Sequence, residues 1–180
     1  MVDDSDYKII KFDELDSTSV KAKELAAQGG VPWTVVVAGR QGSGYGRKGN
    51  GWFSPEGGLY FSVILPKSNV EDLQILTVLA AFCVAKAIKD DYGVEPFVKL
   101  PNDVYLNGKK VCGILTENVI SGVVKSSVIG IGVNTNVGPF PADLNKATSL
   151  DVELGKTIDN DLILGQIISQ LQNTFKSISQ

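Results

Sequence analysis

The run VYLNGKKVCGIL, residues 104–115, limits the possible folds more than any other stretch. Asn107-Gly108 sits between two apolar runs. Asn-Gly in that setting is the strongest short hairpin signal, because both central positions of a type I′ turn need positive φ. A hairpin makes its two strands antiparallel neighbours. An all-parallel doubly wound sheet is therefore disfavoured, and the other segments must be read into a mixed sheet. KIIKFDEL (8–15) reads as a short strand, TVVVAG (34–39) as a β-branched strand, and GLYFSVIL (58–65) as a third. PFVKL and VVKSSVIGIGVNTN (123–136) are further strands. Ser17 or Thr18 is placed to cap a helix through VKAKELAAQ that stops at Gly29-Gly30. Asn69, with Glu71 and Asp72 in the first turn, opens a long helix ended by Gly93. Its Leu73, Leu76, Leu79, Ala80, Cys83, Val84, Ala87 and Ile88 fall at helical spacing. DLILGQIISQLQNTF forms a last helix. The expected class is α+β: a mixed, largely antiparallel sheet with helices packed on it.

A chain of 180 residues, 43% hydrophobic and 21% charged, is expected to form one domain over 1–180 with a real core. Its net charge of -3 gives no global basic field for nucleic acid. It has no histidine, which removes Ser-His-Asp and Cys-His catalysis and most zinc sites. Cys83 and Cys112 lie in apolar runs without C-x-x-C spacing and are expected to be reduced and buried. The N-terminal MVDDSDYK is acidic and polar, unlike a signal peptide, and no apolar run reaches membrane-helix length. A cytoplasmic location is the expectation.

Five glycines stand in GSGYGRKGNGW, residues 42–52, and Gly44 to Gly49 match G-x-G-x-x-G. A dinucleotide turn needs a strand before it and a helix after it. Here NGWFSPEGG and another strand follow, so the context fails. A P-loop ending at Gly155-Lys156-Thr157 fails too, because Leu150 stands where its first glycine must be. From Gly39 to Pro55 the chain carries Arg40, Arg47 and Lys48 and no acid. Such a loop suits a phosphate or carboxylate, since glycines let backbone N–H groups approach a ligand. It suits a solvated connection between strands equally well.

The second unusual segment is VKLPNDVYLNGKKVCGILTE, 98–117. Asn102 and Asp103 offer an amide and a carboxylate after Pro101, or simply cap a turn. Neighbours on a strand face opposite sides, so one of Lys109 and Lys110 faces solvent and the other turns inward. An inward lysine beside Gly113 needs an anionic partner. The plainer reading is a pair of edge-strand lysines that discourage aggregation.

Together these segments resemble the biotin protein ligases. DSTS (16–19) looks like the family's Ser-Thr segment, and Gln41 through GSGYGRKGNGWFSP like its Gly-Arg loop. KLPNDVYLNGKKVCGILTE is similar to its Lys-Trp-Pro-Asn-Asp block with the downstream Lys-x-x-Gly-Ile-Leu-x-Glu. VIGIGVNTN and ATSL resemble two later blocks, so the match spans roughly 12 to 150. Three features depart from the pattern: Tyr45 replaces the loop's usual first arginine, Asn50-Gly51 a basic pair, and Leu100 the tryptophan.

The resemblance implies a class II synthetase-like catalytic domain without the N-terminal DNA-binding and C-terminal SH3-like domains. It implies ATP-dependent formation of biotinyl-5′-AMP, with Mg²⁺, and transfer of biotin to a lysine of a biotin carboxyl carrier protein. Lys110 and Arg47 would be catalytic. Ser17, Thr18, Gln41, Gly44, Arg47, Trp52, Lys110, Gly113 and Leu115 would hold biotin. Arg47, Lys48, Trp52, Asn102 and Asn134 would contact ATP, and Asp103 would orient the acceptor lysine. No resident metal site, nucleic-acid partner or membrane is implied, and a homodimer through a sheet edge is compatible with the family. Two other readings are a biotin or biotinyl-adenylate binder without transfer, and a lipoate or octanoate ligase or transferase on the same fold.

Overall fold

Runs rich in β-branched residues build the sheet, and helical-period runs cover one face of it and part of the other. The computed structural model describes residues 7–66, 73–121 and 123–178. In chain order the elements are β1 (Lys8–Leu15), α1 (Thr18–Ala27), β2 (Thr34–Gln41), β3 (Leu59–Ile64), α2 (Leu73–Tyr92), β4 (Phe97–Lys99), β5 (Asp103–Leu106), β6 (Lys109–Ser121), β7 (Val123–Val133), α3 (Leu150–Leu154) and α4 (Asn160–Ile178). The seven strands form one sheet in the order β1-β2-β3-β7-β6-β5-β4. β1 and β2 are parallel and every other neighbouring pair is antiparallel. The expected mixed, largely antiparallel sheet is thus the one observed. The hairpin turns on Asn107 and Gly108, with φ of 51° and 78°, as a type I′ turn requires.

Alternation divides the strands between two faces. Phe61 and Val63 of β3, Ile114 of β6, and Ile129, Ile131 and Val133 of β7 pack under α2 and α4 in the main core. The α2 residues Leu76, Ala80, Cys83, Val84, Ala87 and Ile88 meet Ile163, Leu164, Ile167, Ile168, Leu171 and Phe175 of α4 in that core. Each Ile or Leu so buried contributes about 1.5–3 kcal/mol. Leu79, read as part of this stripe, is only partly buried. The expected opening of α2 at Asn69 lies outside the described residues. On the opposite face α1 packs Ala22 and Ala26 against Val36, Ile64, Val119 and Val128. This helix covers only part of that face, and the candidate site occupies the rest.

Both ends of α1 follow their sequence signals. Ser17 is the N-cap, its hydroxyl accepting from the Val20 N–H, and Gly29 takes φ +89° just after the helix. Cys83 and Cys112 are free and buried, and burial pushes both thiols up, so neither is a reactive thiolate. No helix among the described residues is long and apolar enough to cross a membrane.

The short helix α3 had no clear signal in the sequence, yet it anchors the hairpin. Its Glu153 accepts from Asn107 Nδ2 at 2.6 Å and from Thr148 Oγ1 at 2.7 Å. Those two bonds hold the Glu153 carboxyl below its ordinary range. A lowered folded pKa stabilises the fold above the unfolded pKa, and the gain is lost as pH falls through the folded value. We expect Glu153→Ala to cost on the order of 1 kcal/mol in denaturant unfolding at neutral pH, and the difference from the parent to shrink on acidification below the ordinary carboxylate range.

Candidate active site

The site begins as missing side chains. β7 reads VIGIGV, and its isoleucines take the helix-covered face, which leaves Gly130 and Gly132 on the other. Across the ladder Gly113 of β6 pairs with Gly132, and Leu115 with Gly130. A cavity of about 340 Å³ lies over this floor. The two β7 glycines are two strand positions apart, about 7 Å, so the floor has two distinct ends.

The end over Gly130 is hydroxyl-lined. Ser62 of β3, paired with Gly130, shares hydrogen bonds with Thr18 Oγ1 at 2.9 Å and Ser19 Oγ at 3.0 Å. A Cβ on Gly130 would stand 2.3 Å from the Ser19 hydroxyl. Gln41, at the end of β2, accepts from the Thr18 N–H at 2.8 Å and donates to Ser54 Oγ at 2.9 Å. This carboxamide therefore fixes the start of α1 against the loop as well as lining the cavity.

The end over Gly132 is cationic and aromatic. Trp52 lies on the floor: a Cβ on Gly132 would come 2.3 Å from its Nε1, and one on Gly113 2.8 Å from its ring. Its indole N–H is buried without an acceptor among the described residues, the kind of donor a bound ligand satisfies. The Lys110 ammonium stands 5.1 Å from the Trp52 ring centre and 2.7 Å from Asp103 Oδ1. The latter contact is a close ion pair without good hydrogen-bond angles. Asp103 is thus the anionic partner that an inward lysine demands.

Lys110 and Gly113 are three apart, which on a regular strand puts them on opposite faces. A bulge corrects the phase. Tyr105 pairs with Lys110 and Val104 with Cys112, so Val111 has no partner on β5. The Val111 carbonyl instead accepts from the Asn134 N–H at 2.8 Å. On its free side the Lys110 backbone bonds Lys146 and Thr148, at 2.8 and 3.0 Å. Lys110 therefore turns into the cavity and Lys109 is exposed at the hairpin end. The edge-strand reading does not fit Lys110, which is paired with Tyr105 on one side and bonded to Lys146 and Thr148 on the other.

The glycine segment forms the roof as a small hairpin. Tyr45 and Gly51 bridge, Gly46 N donates to Asn50 O at 2.7 Å, and Trp52 N donates to Gly44 O at 2.8 Å. Arg47 donates to Asn102 Oδ1 at 3.2 Å, tying the roof to the turn before β5. Tyr45 lines the cavity with its ring and bonds Lys23 and Glu117 with its hydroxyl. Burial is the largest influence on that phenol and moves its pKa upward, which keeps it protonated. For Lys23 burial acts downward, but its bonds to Glu117 and Tyr45 prevail and the net direction is up.

Of the residues chosen from the sequence, Ser17, Thr18, Gln41, Arg47, Lys48, Trp52, Asn102, Asp103, Lys110, Gly113 and Leu115 all line this cavity. Gly44 and Asn134 do not. Gly44 is packed behind the roof, where a Cβ would meet Ser54, Gln41 and Trp52 within 2.9 Å. Asn134 is buried, with its side-chain Nδ2 donating to Thr148 O at 3.0 Å and its backbone carbonyl accepting from Leu150 N at 2.8 Å. It shapes the segment beside Lys110 rather than facing the cavity. Ser19, Gly130 and Gly132 were not singled out, though the IGIG alternation carried the signal for the two glycines.

The cavity thus has a glycine floor, hydroxyls at one end, cations at the other and a hairpin roof, and its charge suits a small anion. Comparison with known proteins names the family. Residues 11–134 match the biotin/lipoate A/B protein ligase family. The chain is 38% identical over 174 residues to the bifunctional ligase/repressor BirA of Bacillus subtilis, covering 93% of this chain and 54% of that protein. It is 34% identical over 158 residues to the biotin--[acetyl-CoA-carboxylase] ligase of Paracoccus denitrificans, covering 83% and 65%. The biotin protein ligase of Aquifex aeolicus, solved in complex with biotin and ATP, superposes with a TM-score of 0.86 at 33% identity, over 96% of this chain and 72% of that one. This chain belongs to the biotin/lipoate A/B protein ligase family, and its sheet and helices have the class II synthetase-like fold. It spans about half the length of the first of these curated relatives.

The floor yields a test independent of any ligand. Gly132→Ala is expected to displace Trp52 and cost about 1–3 kcal/mol by overpacking. Gly51→Ala, where a Cβ meets nothing within 4 Å, should be nearly neutral. Thermal unfolding and tryptophan emission of the two variants check this.

Proposed function

We propose that this domain activates biotin with ATP to biotinyl-5′-AMP and transfers the biotinyl group to a lysine of a biotin carboxyl carrier protein. The observation that carries the reading is the charge of the cavity. In a chain of net charge -3, its lining holds Arg47, Lys48 and Lys110 against the single carboxylate of Asp103. Adenylation brings two anions together, and fixed positive charge lowers that barrier. The hydroxyls and amides at the other end suit a urea ring better than an aliphatic chain. Biotin and ATP are also what the Aquifex aeolicus relative holds.

In the first step a biotin carboxylate oxygen attacks the α-phosphorus, and the bond from that phosphorus to pyrophosphate breaks. Lys110 and Arg47 stabilise the converging charge, and Lys48 adds to the field. Trp52 packs along the ligand and Asn102 faces the nucleotide. In the second step the carrier lysine's amine attacks the acyl carbon, AMP leaves, and the amine's proton passes to solvent. Asp103 orients the incoming lysine. The hairpin roof keeps water from the mixed anhydride. Among the described residues no cluster of three or more His, Cys, Asp or Glu could hold a metal. Mg²⁺ would accordingly arrive on the ATP phosphates, the usual mode for that ion.

Incubation with biotin, ATP and Mg²⁺, followed by mass spectrometry, should reveal biotinyl-5′-AMP, with none of the corresponding adenylate from lipoate or octanoate. Lys110→Ala should lower its formation by roughly a hundredfold or more, and Lys109→Ala should change it little. Biotin binding without any adenylate would favour a binding-only protein. Equal activity of the two lysine variants would sink the role given to Lys110.

A further inference from the structure

Tyr45 stands where the resemblance leads one to expect an arginine, and the structure gives its hydroxyl a donor on α1 and an acceptor on β6. Its hydroxyl accepts from Lys23 Nζ of α1 at 3.0 Å and donates to Glu117 Oε2 of β6 at 2.9 Å. Lys23 Nζ also donates to Glu117 Oε1 at 2.8 Å, and it sits 5.6 Å from the centre of the Tyr45 ring. The three side chains close a ring of hydrogen bonds in which both carboxylate oxygens are used. The ring carries one positive and one negative charge. Lys23 and Glu117 are only 29% and 26% exposed, so the bonds are less screened than an open surface pair. Neither residue lines the cavity; only Tyr45 does.

This tie reaches the ligand side through the roof hairpin. Tyr45 bridges Gly51, the neighbour of Trp52, and Arg47 lies two residues beyond Tyr45. Fixing Tyr45 to α1 and β6 therefore fixes one flank of the roof, while the Arg47–Asn102 bond holds the other. We infer that Tyr45 is a positioning residue, held by Lys23 and Glu117, that keeps the roof closed over bound biotinyl-adenylate. This rests on the adenylation reading above. An arginine at 45 would supply no acceptor for Lys23 and would set two cations against one carboxylate. Lys23 is thus the residue matched to the tyrosine.

Two readouts on purified protein test the tie: hydrogen–deuterium exchange of residues 43–51, and the release rate of biotinyl-5′-adenylate added preformed, which needs no catalysis. Tyr45→Phe, which removes one oxygen, and Lys23→Met should each speed release roughly tenfold and raise exchange in the roof. Tyr45→Arg should release faster still, and adding Lys23→Met to it should recover part of the loss, an effect that a merely structural contact would not produce. Release and exchange unchanged in Tyr45→Phe would overturn the inference, as would faster exchange with unchanged release, or no recovery in the double variant. Should Lys23→Met fail to fold, Tyr45→Phe alone decides. If the parent protein does not bind the adenylate, the adenylation reading fails, and roof exchange in Tyr45→Phe then judges the tie by itself.

Discussion

The contact on which the site depends is the indole of Trp52 lying against a sheet with no side chains beneath it. Strand faces are normally filled at every second position, and a filled face leaves no room for a ligand. Gly113, Gly130 and Gly132 interrupt that rule on one face, while their neighbours Ile114, Ile129, Ile131 and Val133 maintain it on the other. The sheet therefore keeps a full core under α2 and α4 and still offers a trough on its opposite side. Trp52 closes that trough because its backbone belongs to a hairpin of defined shape, not to a slack connection.

Charge is arranged with the same economy. The protein as a whole is acidic, yet three of the four charged side chains around the cavity are cations. Lys110 is held facing an apolar ring and a lone carboxylate, so its ammonium has few competing partners. A second anion entering the cavity would meet a cation already oriented by Asp103 and Trp52, the preorganisation that the proposed adenylation requires.

Much of this was legible in the sequence where one local rule decides. Asn107-Gly108 announced its turn, Ser17-Thr18 the start of α1, and the β-branched runs their strands, because each depends on nearest neighbours. The charges of the glycine segment left an anion-holding loop and a plain connection equally open, and its hairpin was not readable, since its cross-bonds depend on where Trp52 comes to rest. Asn134 reads from the sequence as a nucleotide contact, and in the structure its bonds go to Thr148 and Leu150. An amide has the same chemistry in either setting, and only its neighbours decide. Helix α3 was missed because five residues carry too little periodicity to stand out. The coupling of Lys23, Tyr45 and Glu117 joins residues up to 94 apart in the chain, beyond any spacing rule.

The extra residue at Val111 has a consequence for how such a site can change. Ahead of it the strand presents Lys110; beyond it, Gly113 and Leu115. Shape and charge are therefore set by two segments of one strand joined by a phase slip. A side chain at Gly113 would press on both the Trp52 ring and the Lys110 chain, so the trough and the cation are adjusted together. Removing the slip itself would reverse which face the lysine meets without altering a single chemical group. Through one extra residue the strand thus couples the contour of the trough to the aim of the cation.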